Sequence, residues 1–287
     1  MKGGAAMEFS TIREVQEAQL DIFKQFLRIC DKHGLAYFIV FGTLLGAVQF
    51  KGFIPWDDDI DVAMKRNDFE EFLTIAEREL PKPYFIQTHK TDPEYFHHIA
   101  RVQNLDTTSV ERRYKHLNIK CGICIDVYPL DGVVNTWAYN TKVKLMDSVY
   151  RRCINEWIDN SNCWETRFKT RLGKVISTLV FSCRDRDFYF DKIEKLYRNI
   201  PYDDVQDYVA SFHDSNIFPK KFFEDTAILE FEGMKVIGPA HYDEFFKRIY
   251  GDYTMLPPES ERKRHHGYEA LNVKIPYAEY LSQQEQQ

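Results

Sequence analysis

Four aspartates, Asp57, Asp58, Asp59 and Asp61, crowd into five positions within the stretch FGTLLGAVQFKGFIPWDDDIDVAM, Phe41 to Met64. Carboxylates packed that closely repel, and each raises the other's pKa unless a cation neutralises them. If the segment is extended, Asp57, Asp59 and Asp61 project to one face, while Ile60, Val62 and Met64 steady the backbone. An oxygen-only cluster suits a hard divalent ion, Mg²⁺ with Mn²⁺ as the substitute, which keeps waters and shares the phosphates of a substrate. Metal-assisted phosphoryl chemistry is the first expectation.

The surroundings extend this reading. Leu35 to Phe41 (LAYFIVF) is apolar on both alternating sets, which predicts a central strand buried on two faces. Gly42-Thr43 then falls where that strand meets a short helix, Leu44 to Val48, with Thr43 as its N-cap. A helix N-terminus behind a glycine offers free N–H groups to a phosphate. Further on, NIKCGICIDVYPL (Asn118 to Leu130) alternates Ile119, Cys121, Ile123, Ile125 and Val127 against Lys120, Gly122, Cys124 and Asp126. A lone aspartate between Ile125 and Val127 is awkward as core, and makes sense as a third carboxylate delivered beside Asp59 and Asp61. Cys121-x-x-Cys124 has a zinc-like spacing, but on a strand i and i+3 point to opposite faces, and no second such pair follows.

The remaining chain divides as follows. Residues 1–9 read as a disordered N-terminus and 10–134 as the core, opening with a helix from Ser10 that stops at Gly34. Asn67 or Asp68 caps a helix running to Leu80, and strands follow at Tyr84 to Thr88, Ile99 to Gln103 and Thr107 to Glu111. Residues 135–204 read as a helical lobe. Residues 205–277 carry a hairpin turning at Glu232-Gly233, a helix from Tyr242 to Tyr250, and a basic segment, Arg262 to His266, suited to closing over a diphosphate. Residues 278–287 read as a disordered tail.

A net charge of −6 argues against a broad nucleic-acid-binding surface. No apolar run approaches the roughly 18 residues of a membrane span; the longest, Val175 to Phe181, reads as a buried helix or strand. Six scattered cysteines suit reduced thiols. The expectation is a soluble, cytoplasmic protein.

The order of these parts (a strand-end glycine turn, Asp59-Ile60-Asp61, then the single Asp126) resembles the nucleotidyltransferase fold. The wording is more specific: GTLLGAV followed by KGFIPWDDDID resembles the LicD family of phosphocholine and fukutin-related phosphoalditol transferases. IDVYPLDG (Ile125 to Gly132) resembles that family's second block, and RIYGDYTMLPP followed by His265-His266 its C-terminal block. Region 135–225 matches little. The resemblance implies an α+β fold with a mixed sheet, flanking helices and a largely helical insertion. It implies transfer of phosphocholine, or a similar phospho-alcohol, from CDP-choline or another CDP-alcohol to a hydroxyl of a surface glycan or its lipid-linked precursor, such as lipopolysaccharide or teichoic acid, with CMP leaving. It assigns Asp59, Asp61 and Asp126 as metal ligands and catalytic carboxylates.

Gly42, Thr43, Lys51, Trp56, Arg101, Tyr128 and His266 are the candidate substrate-binding residues, with Trp56 and Tyr128 as aromatic walls for a quaternary ammonium. One departure is that Gln49 and Phe50 stand where the family pattern has Arg and His, which leaves Lys51, Arg101 or the Arg262–His266 run to supply the donor's counter-charge. A lipid-linked acceptor would bring the protein to the inner membrane face. Two other readings use the same residues: a nucleotidyltransferase that releases pyrophosphate, and a non-catalytic glycan-binding scaffold.

Overall fold

The computed structural model describes residues 9–285 apart from 135, 143, 146–149, 152, 153, 155–157, 159–185, 199, 207, 212–215 and 265. Helix α1, Ile12–His33, begins two residues after the expected Ser10. Thr11 and Glu14 form a capping box, and Gly34 ends the helix in the left-handed region at φ +68°. Its buried stripe of Val15, Gln16, Gln19, Ile22, Phe23, Phe26 and Ile29 packs on the sheet.

Strand β1 (Phe38–Ile39) leads into helix α2 (Phe41–Phe50), and strand β2 (Asp61–Lys65) into helix α3 (Arg66–Glu79). Strands β3 (Tyr84–Gln87), β4 (Ala100–Asn104), β5 (Thr108–Glu111) and β6 (Ile123–Val133) follow. After the lobe come helix α4 (Arg186–Arg198), strands β7 (Tyr208–Ser211), β8 (Asn216–Pro219), β9 (Thr226–Phe231) and β10 (Met234–Pro239), helix α5 (Tyr242–Tyr250), strand β11 (Tyr268–Asn272) and helix α6 (Tyr277–Glu285). The main sheet runs β1-β2-β6-β4-β3, with β7 and β8 added along the far half of β6. β2 and β6 are parallel, and the other pairs are antiparallel, so the fold is α+β with a mixed sheet. Two smaller ladders, β9–β10 and β5–β11, flank it.

Several local expectations change. The apolar run at 35–41 is not a central strand: β1 has two residues and sits at the sheet's edge. It is buried because the β9–β10 hairpin lies against it, with the Tyr37 hydroxyl accepting from the Ile237 N–H at 3.3 Å. Thr43 is not the cap of α2; that position is Val40, and the Thr43 hydroxyl turns to β2 instead. Neither Asn67 nor Asp68 caps α3, which starts from Lys65 with no side-chain cap. Asp68 accepts from the Ala36 backbone.

Residues from 205 onward do not stand apart from the core, because β7 and β8 extend its main sheet and β11 pairs with β5. In place of a disordered tail, residues 277–285 form α6, anchored by Tyr277, whose hydroxyl donates to the Ile119 carbonyl at 2.8 Å. The hairpin turns at Glu232-Gly233 as expected.

Of the helical lobe, 137–142, 144, 145, 150, 151, 154, 158 and α4 are helical among the described residues. Val175 to Phe181 and Cys153, Cys163 and Cys183 lie outside them. A charge network docks α4 on the core. Arg66 reaches both oxygens of the buried Asp131 and also faces Glu70 and Glu194, and Glu194 in turn meets His98 at 3.2 Å and Arg198 at 2.7 Å. Burial would push Glu194 up, but these neighbours hold it at about 2.

Candidate active site

The parallel pairing of β2 with β6 places Asp61 directly opposite Asp126, and the antiparallel pairing of β4 with β6 places Arg101 opposite the same residue. In-register neighbours share a face, so Asp61, Asp126 and Arg101 form a row across three strands. Arg101 Nε donates to Asp126 Oδ1 at 2.9 Å. The Asp126 N–H donates to the Ile60 carbonyl at 2.9 Å, which carries the loop at 57–60 onto the end of this row. From below, the Thr43 hydroxyl accepts from the Asp61 N–H at 2.8 Å, and the Tyr128 hydroxyl hydrogen-bonds the Asp61 carboxylate.

Helix α1 secures the acidic loop with two amides on its buried stripe. Gln16 Nε2 donates to the Asp57 carbonyl at 2.9 Å, and Gln19 Nε2 to the Asp58 carbonyl at 2.8 Å. The Asp57 side chain lies against the start of α2, where a Cβ on Gly42 would fall 2.5 Å from Asp57 Oδ2. Glycine is required there to admit a carboxylate of the protein itself. Asp57 and Asp59 share a side-chain hydrogen bond, while Asp58 is buried and meets His266 Nδ1 at 3.4 Å. Asp58 Oδ2 has no hydrogen-bond partner among the described residues.

The electrostatics follow from this crowding. Burial first, then the charges of Asp57, Asp58 and Asp126, push Asp59 up to about 8. Burial, Asp59 and Asp126 hold Asp61 well above the usual carboxylate range, and burial raises Asp57 to about 6. His266 moves the other way with respect to charge: its hydrogen bond to Asp58 raises it to about 9, which favours the imidazolium.

Asp58, Asp59, Arg101, Lys120, Asp126 and His266 line a cleft open to solvent, and Glu111, Tyr114, Cys124 and Tyr268 continue its wall. Of the expected site residues, Asp59, Asp126, Arg101 and His266 meet here. Asp61 and Tyr128 lie behind the lining, and Gly42 and Thr43 support it. Lys51 does not reach the cleft: its exposed side chain faces Glu230 at 3.5 Å. Trp56 stacks under Arg262, whose guanidinium carbon is 5.3 Å from the ring centre, and Tyr128 packs edge-on to Phe41. Arg264 bonds the Ser10 carbonyl, so of the described basic run only His266 turns inward. Gln49, at the position of the departure, donates to the Tyr253 carbonyl at 2.7 Å and fastens the C-terminal loop.

Glu111, Tyr114, Lys120 and Tyr268 were not among the expected residues. Lys120 shares the alternating face of Asp126 and was legible to that extent, whereas the others arrive through the β5–β11 ladder. The two CxxC thiols do not converge. Cys121 Sγ donates to the Ile119 carbonyl and Cys124 Sγ faces Asp126, and burial pushes both thiols up, Cys121 to about 12.

Among the described residues no three Asp, Glu, His or Cys side chains form a ready-made metal cluster. The row accounts for this: Asp126 is drawn to Arg101 and Asp61 to Tyr128. The donor set nonetheless fits Mg²⁺, a hard ion that takes one or two carboxylates and completes its shell from water and substrate phosphate. The raised, mutually repelling Asp59 and Asp61 are the groups a cation would relieve.

Among the described residues no helix is long and apolar enough to cross a membrane. A mixed sheet with acidic residues on adjacent parallel strands, beside a glycine turn, defines a nucleotidyltransferase-like domain. Residues 34–149 match the family described as LicD/FKTN/FKRP, nucleotidyltransferase domain. It is 29% identical over 271 residues, 92% of this chain and 99% of that protein, to the lipopolysaccharide cholinephosphotransferase LicD of Haemophilus influenzae. It is also 40% identical over 126 residues, 44% of this chain and 38% of that one, to an uncharacterized protein of Rickettsia prowazekii.

Proposed function

We propose that the protein transfers phosphocholine, or a closely related phospho-alcohol, from a CDP-linked donor such as CDP-choline to a hydroxyl of a cell-surface glycan or its lipid-linked precursor. The observation that carries this reading is the register that sets Asp61 against Asp126, with Asp59 and Arg101 at the same cleft. Support for the choline head group and a glycan acceptor comes from the relative in Haemophilus influenzae, whose name gives both.

In this reading Asp59 and Asp61 would hold Mg²⁺, with Asp126 beside them. The metal supplies charge neutralisation at the donor diphosphate. Arg101 and protonated His266 face the remaining phosphate charge from the cleft wall, where positioning and preorganised charge lower the barrier to phosphoryl transfer. The acceptor oxygen forms a bond to the β-phosphorus as the bond from that phosphorus to CMP breaks. Asp126, held at Oδ1 by Arg101, takes the acceptor's proton or completes the metal shell. The net reaction yields phosphocholine ester, CMP and a proton.

The test is a donor screen in Mg²⁺ with the full chain, scoring CMP release from CDP-choline, CDP-ethanolamine, CDP-ribitol and CDP-glycerol with lipopolysaccharide and teichoic acid precursors as acceptors. CMP from CDP-choline supports the proposal. Pyrophosphate released from a nucleoside triphosphate, with no CMP from any CDP-alcohol, would replace it with nucleotidyl transfer.

A further inference from the structure

One wall of the cleft has a composition that phosphate chemistry leaves unexplained. Glu111 closes β5 with its side chain 21% exposed, and among the described residues the nearest cation, Arg101 Nη2, lies 3.9 Å away, beyond hydrogen-bond distance. Arg101 has its Nε committed to Asp126. No hydrogen bond reaches the Glu111 carboxylate from any described residue. Two aromatic side chains stand next to it along the same wall. Tyr268 is the partner of Glu111 across the β11–β5 ladder, and Tyr114 lies in the turn after β5, its N–H donating to the Glu111 carbonyl at 2.9 Å. All three line the cleft together with Asp59 and Asp126. The Tyr114 ring already attracts a cation, the exposed Arg113 guanidinium 5.8 Å from its centre.

A carboxylate that no described residue hydrogen-bonds, with two aromatic side chains on the same wall, suits a cation that cannot itself donate a hydrogen bond. A quaternary ammonium is that cation: it binds through charge and ring quadrupoles alone. A metal ion would call for more oxygens, and a primary ammonium for acceptors in several directions. We propose that Glu111, Tyr114 and Tyr268 form an onium pocket for the donor's head group, resting on the transferase reading above. The single Arg101 guanidinium separates Glu111 from Asp126. One short molecule would therefore lie with its phosphate over Arg101 and its trimethylammonium at Glu111. This moves the aromatic wall from Trp56 and Tyr128, which do not line the cleft, to two residues that do.

The test compares phosphocholine with glycerol phosphate binding to the full chain in Mg²⁺ by calorimetry. Wild type is expected to prefer phosphocholine by about tenfold or more. Glu111→Gln and Tyr268→Leu bring the two affinities together while leaving glycerol phosphate binding unchanged, and Tyr268→Phe keeps the preference. Equal wild-type affinity for the two probes, or a preference intact in folded Glu111→Gln, would overturn the pocket. If the chain discriminates phosphocholine yet releases no CMP from any CDP-alcohol, the pocket stands and the transferase reading falls. CMP release from CDP-choline with an unaltered preference in Glu111→Gln has the opposite meaning.

Discussion

Replacing Asp59 with asparagine separates the electrostatic strain of this site from its stability. In the metal-free fold Asp59 titrates at about 8, against 3.8 in an unperturbed carboxylate. Between those values the folded chain holds a proton that the unfolded chain has released, so stability falls as pH rises. Each pH unit is worth about 1.4 kcal/mol, and the interval from pH 5 to pH 8 corresponds to at most about 4 kcal/mol from this one group, less where solvent reaches the side chain. His266 acts in the same direction. Its folded pKa of about 9, above 6.5, gives stability that is complete below 6.5 and lost as pH rises through 9.

Urea unfolding in EDTA at pH 5 and pH 8 is therefore expected to show wild type losing several kcal/mol at the higher pH. Asp59→Asn loses less, because a neutral amide has no proton to give up. It should be the more stable of the two at pH 8. Millimolar Mg²⁺ should restore wild type at pH 8 and do little for the variant. A wild-type protein whose stability in EDTA does not change between pH 5 and 8, or an Asp59→Asn variant with the wild-type slope and the same Mg²⁺ response, would refute the reasoning.

Other outcomes are expected from the same geometry. Asp61→Asn and Asp126→Asn should each lower CMP release by about 100-fold or more without unfolding the chain, as read by single-turnover rates and circular dichroism. Gly42→Ala would drive a methyl group into Asp57 Oδ2, at 2.5 Å, and is expected to cost about 1–3 kcal/mol in urea unfolding along with activity. Glu194 sits at about 2 against 4.5 unperturbed, so its network contributes stability above pH 4.5 that is lost as pH falls toward 2, about 3 kcal/mol at full extent. Glu194→Gln should flatten acid unfolding over that range. Arg66→Met, which leaves Asp131 buried and unpaired, should cost about 3–5 kcal/mol.

Local order was readable wherever near neighbours in sequence decide it. The stop at Gly34, the Glu232-Gly233 turn and the helix from Tyr242 to Tyr250 depend on contacts within a few residues. The alternation around Asp126 depends only on the two-residue period of a strand, so its place off the apolar face was legible before any pairing was known. Tertiary structure decided what each apolar or polar group meets. LAYFIVF looks like a central strand because it is buried on two sides, but a hairpin more than 180 residues later supplies one of them. Thr43 had the chemistry of a cap and was taken by the Asp61 N–H. Glu111, Tyr114 and Tyr268 carried no signal at all, since their meeting depends on β5 pairing with a strand from the far end of the chain. Periodicity fixes which way a side chain points; only long-range register decides which other side chain stands opposite.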